Sequence, residues 1–264
     1  MKILRYAANG EAKHGVLEPD GSIRELVGSP YDRPRAGRQV AELGDVRLLA
    51  PVEPSKIIGT GLNYRSHIEE EGLTAPDFPM LFMKPPTAVI GPEAPIVYPR
   101  SSHVKESGDK DVEFEAELVV VIGREARHVS EENALDYVLG YTCGNDVSAR
   151  VIQQAEMAMG CLLVGKGFDT FCPLGPVVET DIDPADQQLQ ARINGQVKQD
   201  FNTSDLVFSV PELVSYLSTA VTLSPGDVIL TGTSAGVGPI VPGDVVEIEA
   251  SGVGVLRNPV IREQ

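Results

Sequence analysis

Acidic side chains alternate with apolar ones between residues 111 and 117, and a β-branched apolar run follows before Gly123. The run predicts a buried β-strand. Because side chains alternate between the two faces of a strand, Glu115 and Glu117 share one face, which turns apolar further along the chain. A carboxylate at that boundary is costly to bury unless a cation offsets it, and carboxylate oxygens bind hard divalent cations such as Mg²⁺. The pattern favours a metal site, with a solvated edge strand as the alternative.

Asp146 is a candidate third carboxylate for the same site. It lies in the segment 145–150, which begins Asn-Asp and ends at Arg150. The chain between Glu115 and Asp146 is long enough to hold a strand, a helix and a second strand, so it can return beside its start. However, an Asp just before a helix more often caps that helix than binds a ligand. Spacing alone leaves both interpretations open.

His67 and Glu70 stand three residues apart on a short predicted helix and therefore share a face. A carboxylate beside an imidazole can fix its tautomer and make it a better base. The alternative is a solvated helix end, since Glu69 and Glu71 flank the pair and Gly72 follows. From spacing alone the solvated helix end is the stronger interpretation.

Lys166 lies in the segment 160–167, which nearly matches a phosphate-binding glycine-rich loop. The match fails at Gly167, where that loop needs a hydroxyl for Mg²⁺, and the segment follows a helix rather than a strand. We interpret the match as fortuitous. A lysine flanked by glycines can still reach into a site as a point charge.

The elements that position these residues divide into two predicted parts. Residues 1–50 read as a small β-rich unit with a hairpin turn at Asp20 and Gly21, and Pro51 and Pro54 then mark a boundary. Residues 51–264 carry all the candidate site residues. Strands outnumber helices there and short turns are frequent, so the chain predicts an α+β fold that is mostly β.

Capping and turn residues in the second part predict where several helices and one hairpin begin or end. A helix is predicted between a cap at Ser130 and an end at Gly140, and another runs over 149–159. Ser209 and Glu212 fit a capping box that opens a third helix. Asn194 with Gly195 predicts a tight hairpin turn.

Charge and cysteine usage narrow the function classes. The 264 residues carry a formal net charge of −16, which disfavours binding to a nucleic-acid backbone or an anionic membrane. An anionic small substrate would need a local positive island. Three cysteines without metal-type or redox spacing suggest reduced thiols, and we find neither a signal peptide nor a membrane-spanning run. We therefore expect a cytoplasmic protein.

Five motifs follow one another along residues 51–264. They are Gly-x-Asn-Tyr-x-x-His-x-x-Glu at 61–70, Glu-x-Glu-Leu at 115–118, Asn-Asp-Val-Ser-Ala-Arg at 145–150, Gly-Lys-x-Phe-Asp-Thr-Phe at 165–171, and Pro-Gly-Asp at 225–227 continuing through Thr-Gly-Thr at 231–233 to Gly-Val-Gly at 236–238. Taken together and in this order, they resemble the motifs of the fumarylacetoacetate hydrolase family. The chain departs from the family pattern at Val151, at 159–163, where the substrate-facing wall should differ, and at Ser234, which affects loop stiffness more than chemistry.

The resemblance implies a mixed β-sandwich roll that forms a homodimer and uses Mg²⁺ or Mn²⁺. In such an enzyme His67 and Glu70 would activate water or relay a proton, and Lys166 would polarise a substrate oxygen or stabilise an enolate. The remaining implied roles are metal ligands for Glu115, Glu117 and Asp146, and contacts to the substrate's carboxylate or keto end for Arg150, Gln153 and Thr231.

Three function hypotheses follow for a small anionic keto-acid substrate. The first is hydrolysis of a C–C bond in a β-dicarbonyl acid of the acylpyruvate or fumarylpyruvate type, through a metal-stabilised enolate. The second is isomerisation or decarboxylation of 2-hydroxyhepta-2,4-diene-1,7-dioate, or decarboxylation of oxaloacetate, as in the catabolism of aromatic compounds. The third is a non-catalytic binding protein, which would not need His67, Glu70 and Lys166 together.

Overall fold

The structure is a computed structural model and describes residues 1–100 and 111–264. Strands outnumber helices in the described chain, as predicted. The strands are β1 (Lys2–Ala8), β2 (Glu11–Leu17), β3 (Ser22–Ser29), β4 (Asp32–Glu42), β5 (Arg47–Leu49), β6 (Ile57–Gly61), β7 (Met80–Lys84), β8 (Val89–Ile90), β9 (Ile96–Tyr98), β10 (Val112–Phe114), β11 (Ala116–Ile122), β12 (Val138–Asn145), β13 (Ser148–Ala149), β14 (Cys172–Glu179), β15 (Gln188–Ile193), β16 (Gln196–Asn202), β17 (Val228–Leu230), β18 (Gly238–Pro239), β19 (Val245–Ala250) and β20 (Gly254–Arg262). The helices are α1 (Arg65–Glu70), α2 (Arg150–Ala158), α3 (Val164–Gly167) and α4 (Val210–Ala220).

One large sheet carries the site. Its order is β4-β3-β2-β1-β14-β12-β11-β17-β6-β7, with β5 beside β1 and β8 beside β14. The N-terminal strands β1–β5 join this sheet through β1, whose Ile3 pairs with Val178 of β14. Most neighbours are antiparallel, but β17 and β6 run parallel. The sheet is therefore mixed, as the resemblance implied.

A second sheet packs on the large one. It has the order β16-β15-β19-β20-β9 and lies against β11, β12 and β14. Apolar side chains from both sheets, such as Leu118 and Val120 of β11 and Ile248 of β19, form one buried core. The α+β, mostly β sandwich predicted from the sequence is confirmed.

The acidic stretch forms two strands instead of one. Residues of β10 pair with β13 and β18 in a small separate sheet, while β11 lies between β12 and β17 in the large one, and Glu115 stands at the break. Both faces of β11 are buried, with Leu118 in one core and Val119 in the other. The alternative of a solvated edge strand is therefore wrong, because β11 has a neighbour on each side.

The predicted helix from Ser130 to Gly140 is wrong in its second half. A 3-10 helix covers Glu131–Tyr137, Ser130 makes no side-chain cap, and the chain then enters β12. Gly140 does not end a helix. It lies where a Cβ atom would stand 2.3 Å from the carbonyl oxygen of Glu179 on β14, so the close strand approach excludes a side chain there.

The other predicted caps and turns are found in the structure. Ser209 and Glu212 form both hydrogen bonds of the capping box at the start of α4. Asn194 and Gly195 take φ angles of 52° and 76° in the tight turn between β15 and β16. Helix α2 falls within the predicted span 149–159. In the described parts of the chain no helix combines the length and apolar character needed to cross a bilayer.

Candidate functional site

Three carboxylates converge where β11 begins and β12 ends. The antiparallel register sets Glu117 opposite Gly144, and the amide of Asp146 donates to the carbonyl of Glu115 at 3.0 Å. One carboxylate oxygen from each of Glu115, Glu117 and Asp146 lies within 4.8 Å of the others. Their relative exposures are 6%, 1% and 1%. Strand register thus brings together three acids that are separated in the chain.

Glu115 is surrounded by cations and donors. It accepts hydrogen bonds from Lys166 Nζ at 2.8 Å, Arg150 Nη2 at 2.7 Å and Ser148 Oγ at 3.1 Å. Burial alone would raise the pKa of Glu115, but the charges of Lys166 and Arg150 hold that pKa well below its usual value. Glu115 is therefore ionised at neutral pH.

Asp146 lies between two lysines. Lys84 Nζ is 2.5 Å from Oδ1 and Lys166 Nζ is 2.6 Å from Oδ2, while Lys84 also donates to the carbonyl of Val147 at 3.1 Å. The alternative that Asp146 caps a helix is wrong, because its carboxylate oxygens face these ammonium groups and α2 begins only at Arg150. The two ion pairs offset the cost of burying the carboxylate.

Lys84 is a site residue that the sequence analysis missed. It ends the apolar strand β7 and is 1% exposed. A lysine is almost never fully buried without a partner, so a lone lysine in an apolar strand before Pro85 is a signal for a distant buried acid. That signal does not identify the partner, since the acid, Asp146, follows the distant strand β12.

Glu117 differs from its two neighbours. Its Oε2 accepts a hydrogen bond from the amide of Gly232 at 2.5 Å, and no ion pair within residues 1–100 and 111–264 involves it. Burial raises the pKa of Glu117 well above its usual value, and the nearby charges of Asp146 and Glu115 raise it further. This carboxylate lacks a cation that the other two have.

The donor set fits a divalent cation. Three carboxylates offer hard oxygen ligands of the kind that Mg²⁺ and Mn²⁺ prefer. The protein's own charges already point to such an ion. Lys166 bridges Glu115 and Asp146, whereas Glu117 takes part in no ion pair among the described residues.

His67 and Glu70 lie on α1 at the mouth of the site. His67 Nδ1 is 3.5 Å from Glu70 Oε2, and the Glu70 carboxylate accepts from the amide of Gly236 at 3.2 Å. Arg65 donates to the carbonyl of Leu206 at 2.7 Å and so ties the start of α1 to the protein. The His67 ring is largely buried, whereas the Glu70 side chain is 44% exposed.

Arg150 and Gln153 occupy the first turns of α2. Arg150 Nη1 donates to Gln153 Oε1 at 2.8 Å, and its Nε donates to Glu113 at 2.6 Å. Both side chains line the cavity above the carboxylates. The start of α2 thus presents a cationic group and an amide to whatever enters the cavity.

Thr231 is not among the residues that line the cavity. Its hydroxyl donates to the carbonyl of Leu118 at 2.8 Å, which fixes the loop after β17 to β11. Thr60 and Thr233 line the cavity instead. The hydroxyl of Thr60 is buried without a hydrogen-bond partner among the described residues.

Glu156 is a second residue that the sequence analysis missed. Its carboxylate accepts hydrogen bonds from three consecutive amides, those of Leu163 at 3.1 Å, Val164 at 2.8 Å and Gly165 at 2.9 Å. Burial would raise the pKa of Glu156, but these amides lower it below its usual value. The contact fixes the start of α3, which carries Lys166. The nearest sequence signal is an acid near a helix end, and that is too common to be informative.

The cavity above the carboxylates, which Glu115 and Asp146 line, has a volume of about 190 Å³, and charged, polar and apolar side chains all line it. A larger cavity of about 730 Å³ lies beside residues 86–95. Its charged residues include Arg5 and Glu53, which pair with each other at 2.6 Å. We assign the chemistry to the smaller cavity, because Glu115 and Asp146 of the carboxylate cluster line it together with His67, Arg150 and Lys166.

Comparison with known proteins gives two family matches. Residues 56–261 match the family model described as fumarylacetoacetate (FAA) hydrolase C-terminal, and residues 1–51 match the one described as Rv2993c-like, N-terminal. A mitochondrial oxaloacetate tautomerase, fahd2, from Xenopus laevis is 40% identical over 256 residues, which cover 93% of this chain and 77% of that protein.

Solved structures agree with these matches. A 2-hydroxyhepta-2,4-diene-1,7-dioate isomerase from Mycobacterium marinum has a TM-score of 0.87 and 42% identity, over 100% of this chain and 99% of that one. A maleylpyruvate hydrolase from Sphingobium sp. SYK-6, solved with manganese(II) and pyruvate, has a TM-score of 0.80 and 29% identity, over 100% of both chains.

Proposed function

Since the chain belongs to the fumarylacetoacetate hydrolase family, we propose that it is a hydrolase that cleaves a C–C bond in a small β-dicarbonyl acid of the acylpyruvate or fumarylpyruvate type. The observation that carries this proposal is the pairing of His67 with Glu70 at the mouth of the cavity whose floor holds the carboxylate cluster. Hydrolysis needs both a base for water and positive charge for the leaving group, and this arrangement offers both.

Glu115, Glu117 and Asp146 would hold the metal, which we propose to be Mg²⁺ or Mn²⁺. When bound, a divalent cation supplies positive charge to the 1,2-dioxygenated end of a 2-keto acid. With its carboxylate partners engaged in this way, Lys166 would be free to turn its ammonium group towards a substrate oxygen. In that position it would stabilise the negative charge that develops on the leaving group.

The start of α2 would bind and orient the substrate. Arg150 can donate to the substrate carboxylate in a fork geometry, and Gln153 beside it can donate to a keto oxygen. Thr231 was expected to share this role, but it does not line the cavity. Thr60 does, and its hydroxyl has no hydrogen-bond partner among the described residues, so we propose that Thr60 acts in its place.

His67 would act as the general base, with Glu70 orienting it. If Nδ1–H donates to Glu70, Nε2 is free to take a proton from water as the water oxygen bonds to the acyl carbonyl carbon. The bond from that carbon to the methylene then breaks. A carboxylic acid and the enolate of the 2-keto acid result, and the proton held by His67 returns to the enolate carbon.

Isomerisation or decarboxylation is the second candidate. The names of two relatives, an oxaloacetate tautomerase and a dienedioate isomerase, favour it. Such reactions move a proton or release CO₂ without an attacking water. Lys166 beside the carboxylate cluster would suffice to stabilise the charge that they develop.

A substrate panel tests the choice. Purified protein with Mg²⁺ or Mn²⁺ would be assayed against acetylpyruvate, fumarylpyruvate, oxaloacetate and 2-hydroxyhepta-2,4-diene-1,7-dioate. We expect release of pyruvate from an acylpyruvate. Turnover of oxaloacetate or the dienedioate alone would replace the hydrolase by the second candidate. We also propose a homodimer, which sedimentation analysis would test.

A further inference from the structure

The cavity above the carboxylates has a charged floor and an apolar rim. Arg150 and Lys166 are the cations among the described residues that line it, and both contact Glu115 at the floor. The apolar side chains that also line it are Leu73, Met80, Phe82, Met157 and Leu162. Phe82 lies at the floor, since Lys166 Nζ is 5.1 Å from its ring centroid. Leu73 and Met157 are 53% and 44% exposed, so apolar surface remains uncovered at the entrance.

Two of the apolar side chains that line the cavity, Met80 and Phe82, lie on β7, which pairs with β6. Gly59 pairs with Phe82 and Gly61 with Met80. A Cβ atom at Gly59 would lie 2.2 Å from the Phe82 ring, and one at Gly61 would lie 2.3 Å from the Met80 methyl group. The two glycines therefore let both apolar side chains fold flat over β6, beside the cavity.

The direction of a bound keto acid follows from the charges. Its carboxylate and keto oxygens must point to the floor, because the described cations of the cavity are there. Its other end then meets the rest of the lining, which is apolar apart from groups such as the exposed acid Glu71 and the amide of Gln154. A second carboxylate at that end would leave water for an apolar surface and approach a like charge.

From this arrangement we infer that the site selects 2-keto acids whose tail is apolar and uncharged, and discriminates against tails that end in a carboxylate. The inference rests on the proposed function, since it assumes that a 2-keto acid binds head-first at the floor. Within that function it favours simple acylpyruvates over fumarylpyruvate and over a heptadienedioate. A carboxylate without a partner on an apolar surface loses hydration that nothing replaces.

Binding of two matched probes tests the inference without relying on turnover. N-propyl oxamate and N-(2-carboxyethyl) oxamate share the head of a 2-keto acid and differ by a terminal carboxylate. Titration calorimetry with Mn²⁺-loaded protein should give a dissociation constant about tenfold or more lower for the propyl probe. Equal affinities, tighter binding of the carboxylated probe, or binding of neither would overturn the inference.

A charge introduced at the rim should reverse the preference. Met157→Arg places a cation where the tail ends, so we expect the affinity ratio to move by about tenfold towards the carboxylated probe. The matched control Met157→Leu should keep the wild-type ratio. If Met157→Arg folds, as judged by circular dichroism, and leaves the ratio unchanged, the tail does not lie along this rim.

The two proposals can fail separately. If the probes rank as expected while no acylpyruvate is cleaved, the hydrolase proposal fails and the tail preference stands. If acylpyruvates are cleaved and the probes bind equally, the hydrolase proposal stands and the tail preference fails.

Discussion

The charged groups at the floor of the cavity are buried and tightly paired, whereas those at its mouth are more exposed and loosely paired. At the floor, Glu115 and Asp146 are buried and bound to ammonium and guanidinium groups. At the mouth, His67 and Glu70 form one long contact, and the Glu70 side chain is 44% exposed. A buried ion pair that loses one partner leaves an uncompensated charge, whereas an exposed pair contributes little to stability.

This difference in burial predicts where in the site stability and activity are coupled. Changes at the floor should alter folding, metal binding and turnover together, because the same charges serve all three. Changes at the mouth should alter turnover alone. Variants of each region therefore test whether stability and turnover change together at the floor and separately at the mouth.

The largest effect is expected for Asp146→Asn at the floor. The change weakens metal binding and leaves Lys84 and Lys166 facing a neutral amide. We expect activity to fall by about 10³-fold or more, and the free energy of unfolding of the metal-free protein to fall by about 3 kcal/mol. Activity assays, Mn²⁺ titration and urea unfolding measure the three quantities.

The exposed Asp136→Asn is the control for Asp146→Asn and should change none of them. An Asp146→Asn protein that binds Mn²⁺ as tightly as the wild type would remove Asp146 from the ligand set.

Next in size is Glu70→Gln at the mouth. Without the carboxylate, His67 loses the group that orients it, so C–C hydrolysis should fall by about 10²–10⁴-fold. Mn²⁺ affinity and melting temperature should stay at wild-type values, since the Glu70 side chain is exposed and forms no buried ion pair. Decarboxylation of oxaloacetate, which needs no attacking water, should be affected much less. The measurement is kcat for both substrates at saturating metal.

Glu69→Gln on the same helix is the matched control for Glu70→Gln, because Glu69 is exposed and outside the contact. Unchanged hydrolysis in Glu70→Gln would mean that the pair is not the base.

A smaller effect is expected for Glu156→Gln. Glu156 belongs to neither the floor nor the mouth; it lies on α2 and holds the start of α3. An amide side chain can accept fewer of the hydrogen bonds from Leu163, Val164 and Gly165, so α3 and its Lys166 become less well placed. We expect kcat to fall by about tenfold, with KM changing less, since outer contacts that orient site groups have effects of about 10–100-fold. A loss of stability with no change in kcat would make Glu156 purely structural.

The smallest effect concerns Glu117 in the metal-free protein. Repulsion among like charges should make Glu117→Gln as stable as the wild type at pH 8, or more stable by about 1 kcal/mol, while it binds Mn²⁺ more weakly. A strongly destabilised variant would contradict this. The repulsion argument does not extend to Glu115, whose loss would leave Lys166 and Arg150 short of a partner.

The same residue sets a pH dependence. Because the pKa of Glu117 is raised above its ordinary value of 4.5 in the folded state, folding favours the protonated form. The resulting stability is fully present below pH 4.5 and is lost as the pH rises through the folded-state pKa. Urea unfolding of the metal-free wild type from pH 5 to 8 should show this decline, and Glu117→Gln should show less of it.

Much of the fold and part of the site follow from local sequence patterns. The alternation of acids with apolar residues predicts that Glu115 and Glu117 point the same way, although the strand breaks at Glu115, and the three-residue spacing puts His67 beside Glu70. The capping box at Ser209 and the turn at Asn194 also depend on neighbours in the chain. Such features have a period or a local hydrogen bond, so the sequence alone determines them.

The tertiary structure decided the remaining features, which depend on contacts between distant segments. Lys84 finds Asp146 through the packing of β7 near the end of β12, and Gly140 is a glycine because β14 passes close to it. Glu115 and Glu117 are the same residue type two positions apart, yet the pKa of the first is lowered and that of the second is raised. No local pattern distinguishes them. Their difference arises from which cations and amides the rest of the fold brings within hydrogen-bonding distance, and in a buried site those partners determine whether a carboxylate holds its charge.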